Sequence, residues 1–251
     1  MARLAAVVLA ALAGLGAPSL ALAQPQALLP GVTYERDLVF TPWGPVVIHV
    51  VRAPRPTGLF RLRPELGRGT VAGREPVTAI QRRRASVATS VAVNGDLFSF
   101  ADGRPSGITL RDGVLATAPN PGRSSLGIRV DGLLDVRRVA LRATWSGSGG
   151  PRPLARLNKA PGPDEAALFT PQWGKATPRV PGAVAAVLAS FPPAVPNVDL
   201  PGVVTRVLEG GDPVPLEPDS AALVARGAAA ELLRAEALPG TSVNVRLRLP
   251  S

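Results

Sequence analysis

The triplet Asn94-Gly95-Asp96 follows a small, β-branched run from Ala85 to Val93 and precedes the apolar pair Leu97-Phe98. An amide and a carboxylate at the end of a strand stand on a rigid base, where a substrate hydroxyl or phosphate can meet them. Asn94 and Asp96 are therefore the candidate catalytic residues, and Gly95 between them permits a positive φ or close backbone approach to a ligand. The triplet also has an ordinary reading as a turn, because Asn-Gly is among the commonest turn dipeptides. Composition narrows the chemistry further. The chain has no Cys and one His, His49, which excludes a cysteine nucleophile, a thiolate zinc site and a multi-histidine metal centre. A hydrolase built from this chain must use carboxylates, Arg and Asn.

The elements that must position these residues read as mostly β. Two apolar runs between Arg36 and Val51, separated by Thr41-Pro42-Trp43-Gly44, form a predicted hairpin. His49 falls on its second arm as a strand residue with a local hydrogen-bond partner. Thr57 to Leu62 is a further predicted strand, and residues 77–84 have helical character. Ala85 to Val93 reads as a buried strand emptying into the Asn94–Asp96 loop. Short strands follow at Ile108–Leu110 and Val114–Ala116 around an Asp112-Gly113 hairpin turn, and alternation continues from Leu126 to Trp145. The Gly/Ser/Pro-rich stretch from Ser146 to Pro153 marks a break or a mobile tip. Ala166 to Thr170 is another strand. Beyond it, residues 178–220 are proline-rich, with β-prone runs at Ala183–Leu188 and Val203–Leu208. Ala228 to Leu238 is the clearest helix, with Ala229, Leu232 and Leu233 facing a core and Glu231, Arg234 and Glu236 facing solvent. It stops at Pro239-Gly240. Ser242 to Leu249 alternates as a last strand.

The 251 residues are 46% hydrophobic and 18% charged, enough for one good-sized domain or two small ones, and incompatible with disorder throughout. Aromatic residues make up only 4%, so a core must rest on Val, Leu, Ala and Ile, while 28 Pro and 26 Gly interrupt the chain too often for a helical bundle. The net charge is +10, and of the 28 Lys and Arg only Lys159 and Lys175 are Lys. No aromatic-interleaved basic stripe accompanies the charge, so nucleic acid is not the expected partner. Arg82, Arg83 and Arg84 read as a solvated helix face. Arg3, the uncharged run to Ala23 and the small-x-small end Ala21-Leu22-Ala23 predict a secretory signal peptide over residues 1–23, cleaved after Ala23. No later stretch approaches the ~20 apolar residues of a spanning helix. The expected product is exported, in the periplasm, the cell envelope or the medium of a bacterium, without a stable membrane span.

One segment resembles a known family. Val93-Asn94-Gly95-Asp96-Leu97-Phe98-Ser99, followed by Gly103, Pro105, Gly107 and Arg111-Asp112-Gly113, is similar to the "VNGDFFS … G-P-G … DG" segment of the phosphodiester glycosidases, whose best-known member removes N-acetylglucosamine from a sugar phosphodiester. Asn158 and the run Ala167-Leu168-Phe169-Thr170-Pro171-Gln172-Trp173-Gly174 follow in the family's order, and the likeness covers roughly residues 32–251. It implies an exported hydrolase of sugar-1-phosphodiester or cell-surface polysaccharide linkages. Asn94, Gly95 and Asp96 would be pocket residues, Gly95, Ser99, Arg111 and Asp112 would bind substrate, and Arg111 would neutralise phosphate. Leu97 stands where the family prefers Phe. Thr170-Pro171 and Trp173-Gly174 match a second motif, whose plainer role is to pack a turn beside the sheet.

The family's later Arg-Thr segment, Asp-Gly-Arg strand end and Gly-rich "DGGGSS" segment do not occur before Ser251. The resemblance therefore implies either the front half of a longer protein or a short one that keeps the scaffold and has lost the reaction, with an unpaired last strand as an edge to be covered. The expected fold class is α+β, a mixed β-rich sheet core with few helices. The expected domains are the signal peptide, a phosphodiester glycosidase-like core over 24–177 and a small Pro-rich β subdomain with one helix over 178–251. A different class of function, a non-catalytic envelope module that binds acidic glycan or phosphate-bearing polymer through its arginines, fits the same charge balance. No cofactor is expected; scattered Asp residues could hold a structural calcium, and no loop has the regular ligand spacing that would identify its site.

Overall fold

The computed structural model describes residues 25–250. The expected signal peptide and its cleavage site lie outside the described residues. The chain divides into two compact units, Met1–Pro56 and Thr57–Ser251.

In the first unit β1 (Gln26–Leu29), β2 (Val32–Thr41) and β3 (Gly44–Arg52) form an antiparallel sheet in that order. Thr41 lies opposite Gly44 across Pro42-Trp43, which is the hairpin expected over 36–51. His49 shares a 2.7 Å hydrogen bond with the Tyr34 hydroxyl and stacks on its ring, so it is a strand residue with a local partner.

The second unit opens with irregular chain and α1 (Val77–Ala85). Two hairpins follow: β4 (Thr109–Arg111) with β5 (Val114–Thr117), and β6 (Ser124–Ile128) with β7 (Leu134–Arg138). Asp112 and Gly113 have φ of 51° and 80°, the two positive values that a tight two-residue turn between right-twisted strands requires. The remaining elements are β8 (Arg142–Ser146), β9 (Arg152–Pro153), β10 (Arg156–Leu157), β11 (Ala166–Phe169), β12 (Val184–Ala189), β13 (Asp199–Leu208), β14 (Ala221–Ala225), α2 (Gly227–Glu236) and β15 (Ser242–Arg248). They build one eight-stranded sheet in the order β10-β11-β14-β12-β13-β15-β8-β9. Only the β10–β11 pair is parallel. The fold is thus α+β, dominated by a large sheet, with two α-helices among the described residues.

Strand periodicity splits the core in two. On one face Leu168, Val184, Ala186, Leu188, Leu223 and Ala225 pack with Trp145, Leu115 and, from α2, Ala230 and Leu233. On the other, Ala167, Phe169, Ala185, Val187, Ala222 and Val224 pack with Leu66, Val71, Trp173, Val180, Val214 and Leu216. A strand covered on both faces has no polar side to show, which is why β12 and β14 read as continuous apolar runs. Each fully buried Leu or Val contributes about 1.5–3 kcal/mol. Trp173 meets Phe169 edge-on at 5.4 Å and, with Gln172, accepts backbone hydrogen bonds from Val71 and Ala72, so the Thr170–Gly174 motif does pack a turn beside the sheet.

Several expectations change. The boundary expected at 177–178 falls inside this sheet: β8 to β11 precede it, β12 to β15 follow it, and all eight strands form one ladder. β15 is paired on both edges, by β13 and β8, and is not an edge. Ala85–Val93 is not a buried strand. Helix α1 runs through Ala85, Ser86 turns back to hydrogen-bond the Arg83 carbonyl, and Ser90 and Gln81 exchange two hydrogen bonds. Val87, Val91 and Val93 are left exposed. Thr57–Leu62 is also not a strand, since Phe60 N–H closes a turn onto the Thr57 carbonyl. The Ser146–Pro153 loop is no free tip. It wraps the C-terminal end of α2, where Ser148 N–H donates to the Glu236 carbonyl at 3.0 Å and Gly147 and Gly149 leave no side chain in the way. Glu236 is accordingly buried, with Arg152 on its carboxylate, and does not face solvent.

Candidate functional site

Asp96 stands at the base of a small loop hairpin. Ser106 N–H donates to the Leu97 carbonyl, Ser99 N–H to the Arg104 carbonyl and Gly103 N–H to the Ser99 carbonyl, each at 2.8 Å. The turn residues Ala101-Asp102-Gly103 close it. One oxygen of Asp96, Oδ1, accepts the Leu97 N–H at 2.7 Å and the Arg123 guanidinium at 2.7 Å. The other, Oδ2, lies where a side chain on Gly107 would begin, so Asp96 holds this rotamer because residue 107 has no Cβ. The backbone of Gly107 is pinned in turn: its carbonyl accepts the Thr117 hydroxyl at 2.7 Å.

The support continues into the core. Ala116, next to Thr117, offers its carbonyl to Asn158 Nδ2 at 2.9 Å. Asn158 is completely buried, has a φ of 46° and exchanges hydrogen bonds with Thr170, whose N–H donates to Asn158 Oδ1 at 2.9 Å. A buried amide with its oxygen and nitrogen both engaged specifies one geometry, since losing any partner strands a polar group. A continuous set of contacts therefore runs from the large sheet through Asn158, Ala116, Thr117 and Gly107 to Asp96.

The charges around the hairpin were only partly visible in sequence. Burial pushes Asp102 upward, but hydrogen bonds from the Ser99 side chain and the Arg104 N–H, with the Arg104 charge, hold it below the ordinary aspartate value. Burial, with the charges of Arg156 and Arg104, pushes Lys159 below the ordinary lysine value. Lys159 follows Asn158, so the buried amide also sets where this ammonium emerges. Sequence reasoning missed Arg104, Arg123 and Lys159 as companions of the motif. The available signal was chain position for two of them, Arg104 directly after Gly103 and Lys159 directly after Asn158, whereas Arg123 is joined to the site only by the fold.

Of the predicted site residues, Asn94, Gly95 and Asp96 are exposed neighbours on one irregular segment, and Ser99 is brought to Asp102 within the hairpin. Arg111 and Asp112 belong to a different cluster. Arg111 pairs with Glu65 at 3.2 Å, and Glu65 also takes Arg63 at 3.1 Å and Arg84 at 2.6 Å. Asp112 pairs with Arg63 at 2.8 Å. This cluster ties α1 to the β4–β5 turn and shares no partner with Asp96 among the described residues. Among the described residues, no three of His, Cys, Asp and Glu converge as metal ligands, and no helix is long and apolar enough to cross a membrane.

A cleft of about 290 Å³ opens between Trp145, Leu232 and the start of α2, with Asp164 and Glu165 on its wall. Its carboxylates are committed to structure. Asp164 accepts the Ala228 N–H at 2.8 Å and caps the helix, and Glu165 binds Arg156 and the Gly162 N–H.

No protein-family model and no curated protein matches the chain. Two solved structures share its fold. A hypothetical protein from Synechocystis superposes with a TM-score of 0.73 at 21% identity, over 90% of this chain and 41% of its own. A candidate exported protein from Burkholderia pseudomallei superposes with a TM-score of 0.63 at 22% identity, over 85% of this chain and 48% of its own. The chain spans less than half the length of either, and at these identities the likeness is one of fold.

Proposed function

We propose that this protein is an exported hydrolase of sugar-1-phosphodiester linkages in cell-surface polysaccharide, with Asp96 as its reacting carboxylate. The observation that carries this reading is the seat of Asp96, held by the Leu97 N–H and Arg123 and lying against Gly107, whose backbone is tied through Thr117, Ala116 and Asn158 to the core. Such preorganisation is what a positioned base requires. The chemistry suits a single carboxylate. When the bond from the anomeric carbon to the phosphate oxygen breaks, the electron pair leaves on a phosphate ester, a weak base that needs little protonation. Asp96 takes a proton from the attacking water, the water oxygen bonds to the anomeric carbon, and the products are a free sugar and a phosphate monoester. Arg123, 2.7 Å from the carboxylate, puts a positive charge beside it that would also attract a phosphate. Asn94 and Gly95 would line the approach, with Ser99 and Asp102 shaping the hairpin beside it.

The test is release of reducing sugar from a sugar-1-phosphate alkyl diester by the full chain. Asp96→Asn should lower turnover by about 10²–10⁴-fold; unchanged turnover removes Asp96 from the mechanism. A second reading, the non-catalytic envelope module, is favoured by the pairing of Asp96 with Arg123, which gives the carboxylate a structural duty. Salt-sensitive retention on a phosphate-bearing polymer with no turnover by the parent protein would select it.

A further inference from the structure

The large sheet is covered on both faces only over β11, β14 and β12. Over β13, β15 and β8 the face opposite Trp145 and Leu233 is open. It carries Asp199 and Pro201 from β13, Asn244, Arg246 and Arg248 from β15, and Arg142 and Thr144 from β8. The strands align these side chains in rows. In one row Asp199, Arg246 and Thr144 stand opposite each other, and Arg246 Nε donates to Asp199 Oδ1 at 2.6 Å. In the next, Arg248 stands directly opposite Arg142. Among the described residues neither of these two arginines has a carboxylate within 4 Å. Asn197, Val198, Asp199, Arg246 and Arg248 line a shallow depression of about 410 Å³ on this face.

Like charges directly opposite on antiparallel strands repel, and a sheet normally avoids them. From this arrangement we infer that the Arg142–Arg248 row is a docking site for the phosphate groups of a phosphodiester-bearing glycan chain. The adjacent row shows why phosphate fits better than a carboxylate. There the carboxylate of Asp199 is filled by Arg246 and the Asn244 amide, so Arg248 reaches it only as a nearby charge. Two arginines on neighbouring strands, whose backbones run about 5 Å apart, can converge on a tetrahedral group with more acceptor oxygens than a carboxylate has. Thr144, in the row beside Arg142, supplies a neutral hydroxyl for a sugar. The phosphate rests on the arginine rows alone, whereas the glycan part of the ligand rests on the hydrolase reading above. The surface would hold polymer while the Asp96 site, built on different elements, acts on it.

The experiment measures binding of poly(glycerol phosphate) to the full chain by titration calorimetry, with polygalacturonate and an oligothymidylate of matched charge as competitors. Arg142→Gln with Arg248→Gln should weaken poly(glycerol phosphate) binding at least about tenfold. The paired Lys variant, which keeps charge and loses the planar fork, should fall between. Thermal unfolding of the Gln pair should occur at the same or a higher temperature than the parent, since a repulsion has been removed, so weaker binding is not ascribed to misfolding. Asp96→Asn should bind polymer as the parent does even where it releases no sugar, which separates failure of this site from failure of the hydrolase reading. Equal binding by the Gln pair, no binding by the parent, or tighter binding of polygalacturonate or oligothymidylate would each overturn the inference.

Discussion

Two segments of nearly the same composition meet opposite fates. Ala183-Val184-Ala185-Ala186-Val187-Leu188-Ala189 is the buried strand β12, flanked by β14 on one side and β13 on the other. Ala85-Ser86-Val87-Ala88-Thr89-Ser90-Val91-Ala92-Val93 is equally small and β-branched, yet it ends a helix and then runs unpaired, with Val93 at 72% exposure. β propensity describes how a side chain fits a pleated, half-buried surface, and it has no effect where no neighbouring strand provides one. β6 and β7 are an intermediate case. They pair with each other alone, and Leu126, Leu134 and Val136 stay exposed. The large sheet is thus the stable body, and residues 85–138 are attached to it at a few places, of which the Asn158–Thr170 network is the most buried.

This contrast predicts a gradient of mutational cost. The largest effect belongs to Phe169→Ala on β11, which empties a fully buried ring from beneath Trp173 and should cost about 3–5 kcal/mol in denaturant unfolding. A loss below about 1 kcal/mol would mean that the two-faced core is not what holds the sheet. Next comes Asn158→Ala. It strands the Ala116 carbonyl and the Thr170 N–H and puts at positive φ an Ala, which tolerates that region less well than Asn, for about 2–4 kcal/mol in all. Asn158→Gly separates the parts, because it relieves the backbone cost and leaves the hydrogen-bond cost. Hydrogen exchange in Asn158→Ala should rise more across 96–117 than across β12 and β14, if the network is the attachment of one region to the other.

The same contrast explains how much could be read in advance. The hairpin at 36–51, the Asp112-Gly113 turn, both helices, β11, β12, β15 and the second half of β13 announce themselves by local pattern, whereas β14 and the start of β13 do not. What local pattern does not carry is pairing order. Nothing in Ser242–Leu249 says that β15 will be inserted between β13 and β8, and nothing in Ala85–Val93 says that no partner strand is present. Glu236 looks like a solvent-facing helix residue because its partner, Arg152, is distant in sequence and is brought to it by the β8–β9 hairpin. At the candidate site the motif residues were legible because they are contiguous. Arg123 and Lys159 reach the hairpin through tertiary structure, and Arg111 was drawn to the site by its place in the motif although Glu65 holds it elsewhere.

Gly107→Ala probes the attachment from the site end. The new methyl group would turn the Asp96 carboxylate aside, and because that is the end of an exposed side chain the stability cost should stay under about 1 kcal/mol. Turnover on the phosphodiester should fall while β12–β14 keep their exchange protection, and a variant with full turnover would show that the seat of Asp96 is not needed for the reaction. A smaller effect is expected from pH at Glu165. The hydrogen bond from Arg156, then the N–H of Gly162, hold its carboxyl below the ordinary glutamate value against the opposing effect of burial. A carboxyl lowered on folding contributes stability that is complete above its unfolded value and is lost as pH falls through its folded value. Stability should therefore decline on acidification below the ordinary glutamate range, and Glu165→Gln should flatten that decline. Both partners are partly exposed, so solvent screening keeps the contribution under about 1 kcal/mol.

The smallest effect is the one that bears most directly on the contrast. Val136→Thr on β7 exchanges a methyl for a hydroxyl at a position that is 67% exposed, and it leaves both the β-branched shape and the pairing with Leu126 intact. The substitution should change unfolding free energy by less than about 0.5 kcal/mol. The same exchange at Val184 on β12, which is completely buried, removes apolar contact and introduces a hydroxyl with no partner, and should cost several times more. If Val136→Thr proved as costly as Val184→Thr, β7 would have to be covered in solution by something that the contacts within this chain do not supply. The β6–β7 hairpin would then belong with the buried sheet, and the division of the molecule into a covered body and an uncovered attachment would fail at that point.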